Sequence, residues 1–186
     1  MSEFLQRHPK VAAELLFVDR VVNLVEEGLD GAIRIGRLAD SSLAAIPLGR
    51  MRRVVCASPA YLRSRGSPRR PEDLRAHRCV RFTGLAPHAE WAFRSPARKV
   101  AIRSVLTCNQ ADAAIEACAA GLGLGSFLSY MVAPHIRSGK LRYVLEDFEV
   151  EPLPVTFLYP QSRMLSPTVR AFADLCVKKL RQTKFD

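Results

Sequence analysis

Apolar residues in this chain come in short runs closed by glycine, proline or polar turns, and segments with helical spacing stand between them. That alternation constrains the fold most, because strands and helices that take turns along a chain build a layered α/β protein. Val11–Val18 reads as a strand. Asp19 offers an N-cap, Val21, Leu24 and Val25 make one apolar face, and Gly28 supplies the stop. Gly31–Ile35 reads as the next strand. Strand, helix and strand in so few residues predict a right-handed βαβ unit and a parallel sheet.

The same reading continues to the carboxyl terminus. Glu3–Arg7 is the end of a helix, stopped ahead of Pro9. Arg53–Ala57 and Cys79–Phe82 read as strands, with helical turns at Pro59–Arg65 and Glu72–His77 between them. Trp91–Arg94 and Val100–Arg103 alternate in polarity and predict a hairpin. Leu106–Cys108 is a strand that delivers Asn109 to the start of a long helix ending at Ala119. A glycine run, Gly121–Gly125, leads to a second apolar segment and a helix near Met131–Ser138. Strands at Leu141–Leu145 and Val155–Tyr159 come next. Ser166 caps a last helix whose first residue is Pro167, with Val169, Phe172, Cys176 and Leu180 on its core face.

Composition sets the class. With 186 residues, 25% charged and 48% hydrophobic, the chain is long enough for a buried core and is neither disordered, collagenous nor coiled-coil. Met1–Lys10 is too polar for a signal peptide, and glycines and Pro134 break the uncharged stretch Ala117–Ile136 too often for a membrane span. The five cysteines are odd in number and form no CxxC, which predicts buried thiols in a reducing cytoplasm and no metal site. The net charge of +10 is unevenly placed: Arg50–Arg103 holds 14 basic and 3 acidic residues, and the rest of the chain is nearly neutral. Such a segment suits an anionic ligand, nucleic acid or an acidic partner, and equally a solvated face.

Most catalytic chemistry fails on spacing. The glycine run comes after a helix instead of a strand, so it is no dinucleotide loop, and its use is close backbone packing. No GxSxG, HExxH or Walker lysine occurs. Asp147, Glu149 and Glu151 fit a solvent-facing strand or loop. Two polar groups stand out. Asn109 lies where a strand hands over to a helix, a natural anion site or a simple cap. Arg34 interrupts an apolar strand one residue from its end, and so faces a cleft or an ion-pair partner.

Several stretches together resemble one known family. Asp19-Arg-Val-Val-Asn-Leu-Val-Glu-Glu-Gly-Leu-Asp30, Ala32-Ile-Arg-Ile-Gly36 and Asp40-Ser-Ser-Leu43 are similar to the effector-binding domain of LysR-family transcriptional regulators. So are Val54-Val-Cys-Ala-Ser-Pro-Ala-Tyr-Leu62, Pro71-Glu-Asp-Leu74 with His77, Ala119-Ala-Gly-Leu-Gly-Leu124 and Ser138-Gly-Lys-Leu141.

The resemblance implies a type 2 periplasmic-binding-protein-like α/β fold, two lobes joined by two crossing segments. Lobe I would be residues 1–50 and 155–186, and lobe II residues 51–154. It implies a small organic effector, anionic in charge, in the cleft between the lobes. Arg34, Ile35 and Gly36 of lobe I and Phe82, Thr83, Asn109 and Phe127 of lobe II would hold it. It implies no catalysis, no cofactor and no membrane partner. Leu128 departs from the family pattern, where proline commonly comes after the glycines. The family's winged helix-turn-helix, linker helix, first strand and the serine opening helix 1 have no counterpart in the chain, so DNA contact is expected only through that absent domain. A homo-oligomer is expected, a dimer, or a tetramer at full length. A free-standing solute-binding protein and a cofactor-free enzyme are the competing classes.

Overall fold

The computed structural model describes residues 1–18, 22–36, 43–94, 98–161 and 166–180. In chain order its elements are α1 (Ser2–Arg7), β1 (Ala32–Ile35), β2 (Leu43–Met51), β3 (Arg53–Ala57), α2 (Pro59–Arg65), β4 (Arg78–Phe82), β5 (Glu90–Phe93), β6 (Arg98–Ala101), β7 (Arg103–Cys108), α3 (Ala111–Ala119), β8 (Leu124–Leu128), α4 (Ser129–Arg137), β9 (Arg142–Val144), β10 (Leu153–Pro160) and α5 (Pro167–Leu180). Contacts divide the chain into two compact units. One is Met1–Arg50 with the described residues from Leu153 onward, and the other is Met51–Pro152.

In the first unit a three-stranded sheet has the order β1-β10-β2. The Phe172 ring of α5 meets Phe4 of α1 edge-on at 5.2 Å and Phe157 of β10 at 5.8 Å. Lys179 closes the pair of helices with an ion pair to Glu3 at 2.9 Å. Val169 and Cys176 are buried as their helical spacing predicts, and Ser166 accepts the Val169 N–H at the cap.

Three expectations fail in this unit. Val11–Val18 forms no strand, and Leu15, Leu16, Phe17 and Val18 are exposed, because no strand among the described residues pairs with their backbone. Asp19 and Val21 lie outside the described residues. The expected helix is reduced to one turn: the Asn23 carboxamide accepts from Val25 N–H at 3.2 Å, and Gly28, at φ +66°, ends the turn. Leu24 is buried and Val25 exposed, so among the described residues of the turn Leu24 is the apolar anchor. β1 then pairs antiparallel with β10, so the expected parallel βαβ unit is not formed there. β2, interrupted by Pro47 and Gly49, carries no strand signal in the sequence.

The parallel sheet lies in the second unit, in the order β7-β4-β8-β3-β9. β4 runs parallel to both β7 and β8, while β3 is antiparallel to β8 and β9. One core joins the sheet to α3 and α4 through Val54, Cys56, Val80, Phe82, Ile115 and Phe127. Another buries Trp91, Leu74, Tyr61 and Leu124 beneath the β5–β6 hairpin. The apolar segment after the glycines is β8, with all five residues buried. Gly123 is required by proximity: a Cβ there would stand 2.4 Å from the Arg78 carbonyl oxygen. Glu149 does not face solvent freely as expected. It accepts two hydrogen bonds from Arg52, at 2.9 and 2.8 Å, and holds that guanidinium above its ordinary pKa.

Candidate functional site

Parallel strands bring their carboxyl ends to one side, which is where open α/β sheets bind ligands. In the second unit those ends are Phe82 of β4 and Cys108 of β7, which are register partners. The chain turns immediately after Phe82. Thr83 donates its N–H to the Cys108 carbonyl at 2.9 Å and its hydroxyl lies 3.4 Å from the same oxygen. Ala86, buried, donates its N–H back to Phe82 and pins the turn. Asn109 comes directly after Cys108 and is exposed.

Asn109 is not the cap of α3. That position is Gln110, at φ −112° and ψ 121°, and no side chain caps the helix. The open N–H groups of the first turn and the positive end of the helix dipole favour an anion. Asp112 stands in the same turn and takes part of that field.

Arg53 belongs to this site although sequence reasoning does not select it. β3 is antiparallel to β8, so its first residue, Arg53, lies at the same end of the sheet as Leu128. Its guanidinium donates to the Leu85 carbonyl at 2.8 Å, inside the turn beyond Phe82, and to the Ser126 hydroxyl at 3.4 Å. Burial lowers its pKa, and no carboxylate among the described residues offsets that loss of solvation. A half-buried guanidinium held only by neutral acceptors is a charge in want of an anion. Arg53 sits between Arg52 and two apolar residues in a basic segment, so only its hydrogen bonds distinguish it.

Phe82 and Phe127 are both buried, at 4% and 0% exposure, in the core beneath α3. They form the base of this end of the sheet and present no open surface. In the first unit Arg34 lies in β1 opposite Thr156, partly buried, with no carboxylate partner among the described residues. Ile35 pairs with Val155. Gly36 ends the strand at φ +131°, a conformation closed to side chains, and donates its N–H to the Pro154 carbonyl. Arg34, Ile35 and Gly36 thus belong to one unit and Arg53, Phe82, Thr83, Asn109 and Phe127 to the other.

No group of three or more His, Cys, Asp or Glu among the described residues is placed to hold a metal. All five cysteines are free thiols.

Comparison with known proteins supplies the lineage. A family model described as the LysR substrate binding domain matches residues 1–181. The HTH-type transcriptional regulator YhjC of Escherichia coli is 38% identical over 92% of this chain and 59% of its own length. An HTH-type transcriptional repressor of Pseudomonas aeruginosa is 35% identical over 94% of the chain and 56% of its own length. The chain therefore spans a little over half the length of these relatives. The regulatory domain of CrgA, a LysR-type transcriptional regulator from Neisseria meningitidis, superimposes with a TM-score of 0.84 at 29% identity, covering 96% of this chain and 89% of that one. Full-length AphB of Vibrio cholerae gives 0.83 at 25% identity, with 62% of its length covered. These neighbours have the type 2 periplasmic-binding-protein-like fold. The chain belongs to the LysR substrate-binding domain family, the effector-binding part of LysR-type transcriptional regulators.

Proposed function

We propose that the chain senses a small organic anion and passes the bound state to a DNA-reading domain outside it. The observation that carries this reading is the pair of guanidiniums without carboxylate partners among the described residues, Arg53 beside the Phe82–Leu85 turn and Arg34 near the end of β1. Thr83, Asn109 and the uncapped start of α3 add neutral donors at the end of the sheet that holds Arg53. The charged groups fix an anion and the neutral ones select its shape. Ile35 and Gly36 complete the set that the family resemblance implies.

The ligand acts by preferring one of two conformations of an oligomer, which is how a bound effector reaches a distant DNA contact. The relatives are an HTH-type transcriptional regulator and an HTH-type transcriptional repressor, which supports the DNA partner. No helix among the described residues is long and apolar enough to cross a membrane. Five free thiols suit a reducing, cytoplasmic setting, and the exposed apolar run Leu15–Val18 suits a homo-oligomer.

The test is a thermal-shift screen of mono-, di- and hydroxycarboxylates, with calorimetry on each hit. Arg34→Ala should weaken the hit about tenfold or more, the worth of one charge-assisted contact. Unchanged affinity in that variant removes Arg34 from the site.

A further inference from the structure

We propose that the second unit carries a separate site for a small polyanion, bearing two or more phosphate or carboxylate charges, in a three-arginine cavity at the amino ends of β4 and β7. The cavity measures about 320 Å³ and is lined by Tyr61, Arg65, Ala76, Arg78, Arg103 and Val105. That volume exceeds what an inorganic ion fills and matches the lower range of small-ligand pockets.

The three guanidiniums come from three elements. Arg65 ends α2, Arg78 opens β4 and Arg103 opens β7. Arg78 and Arg103 are register partners in the parallel pair, so two like charges stand side by side. Such a pair is repulsive unless something between them is negative. No carboxylate lines the cavity, and none of the three arginines has an acidic partner among the described residues.

The floor of the site is also held in place. The Tyr61 hydroxyl accepts the Arg78 N–H at 3.0 Å and lies 3.1 Å from His77 Nδ1, both groups being buried. Burial lowers the His77 pKa, which favours the neutral ring, and the phenol also lies 3.4 Å from the Arg78 carbonyl oxygen. The main chain at Arg78, from which the guanidinium projects, is therefore fixed before any ligand arrives.

This cavity is distinct from the effector site. β4 runs from Arg78 to Phe82, four residue steps of about 3.3 Å, so the two sites lie roughly 13 Å apart along the strand at opposite ends of the sheet. Its concave shape favours a small ligand over a duplex, whose phosphates line an open convex surface.

The experiment is calorimetry and thermal shift with two probes, pyrophosphate and tricarballylate, at ionic strength matched with sodium chloride. At least one probe should bind saturably, and which one does separates a phosphate ligand from a carboxylate ligand. Arg65→Gln and Arg103→Gln, both at exposed positions, should each weaken that probe about tenfold. Arg137→Gln, on α4, should leave it unchanged. The double variant Arg65→Gln/Arg103→Gln should melt higher than the parent without anion, because the repulsion is relieved. Equal affinity in parent and double variant, or the same stabilisation by sodium chloride alone, would overturn the site. Displacement of the probe by a short DNA duplex, or by self-association of the chain, in a way those two substitutions abolish would overturn the small-ligand assignment.

Discussion

The Thr83 N–H donates to the Cys108 carbonyl at 2.9 Å, which ties the carboxyl ends of two parallel strands to each other at the point where both leave the sheet. A turn held this way presents its outer donors in a fixed position. Arg53 reinforces it from the antiparallel strand β3 by holding the Leu85 carbonyl. The end of the sheet is thus built before any ligand binds.

That relationship predicts the cost of losing Arg53. Arg53→Gln removes a charged donor from Leu85 and from Ser126, and hydrogen bonds to charged groups are worth about 1.5–3 kcal/mol. The burial of the guanidinium offsets part of this, so the expected loss of stability is about 1–2 kcal/mol. Urea unfolding measures it, and an unchanged midpoint would show that the turn stands without Arg53.

Alkaline pH should loosen the protein through its thiols. Burial pushes Cys56 and Cys79 up to about 12 and Cys118 further in the same direction. The unfolded chain ionises these thiols near 9 and the folded chain does not, so folded-state stability is complete below 9 and declines as pH rises toward 12. Each thiol contributes a loss of roughly 1 kcal/mol between pH 9 and 10. Burial raises Tyr61 and Tyr143 too, and they act in the same sense. Cys118→Ala isolates the thiol part: its stability should fall less steeply over that interval than the parent's. Identical slopes would contradict the burial of Cys118.

Self-association should result from Leu15, Leu16, Phe17 and Val18, exposed by 51, 53, 87 and 43%. Four consecutive apolar side chains in water, on backbone without ladder partners, seek cover. Phe17→Asp should shift light scattering toward the monomer at matched concentration. A parent protein already monomeric at high concentration would refute the expectation.

Duplex DNA should bind weakly and without sequence preference. The Arg50–Arg103 excess supplies phosphate contacts, and no described helix is paired by two-fold symmetry to read half-sites. The expected dissociation constant is about 10⁻⁴–10⁻⁶ M at physiological salt, rising steeply with salt. Anisotropy with promoter and scrambled duplexes decides it, and a hundredfold preference for the promoter at physiological salt would overturn the assignment of sequence reading to another domain.

The second unit is legible in the sequence because its signals are local. Pro59 and Gly66 bracket α2, Thr83-Gly84 stops β4, and the glycines after Ala119 mark the close approach of Gly123 to Arg78. The first unit is less so. Val11–Val18 has the apolar pattern of a strand, but a strand exists only with a neighbour, and neighbours are not written in the run itself. β2 is hidden by Pro47, which sequence logic counts against a strand. Thr83 and Asn109 in the second unit, and Arg34 in the first, can be placed at strand ends from pattern alone. Arg53 cannot, because its role arises from hydrogen bonds to residues 32 and 73 positions away.

Backbone NMR of the chain, titrated with a carboxylate from the thermal-shift screen, tests effector sensing most directly. Effector sensing at this end of the sheet predicts saturable shifts concentrated at the amides of Thr83, Leu85 and Asn109 and at the Arg53 side-chain Nε–H. Saturable shifts that bypass Thr83 and Asn109, or no saturable shift with any organic anion, would contradict it.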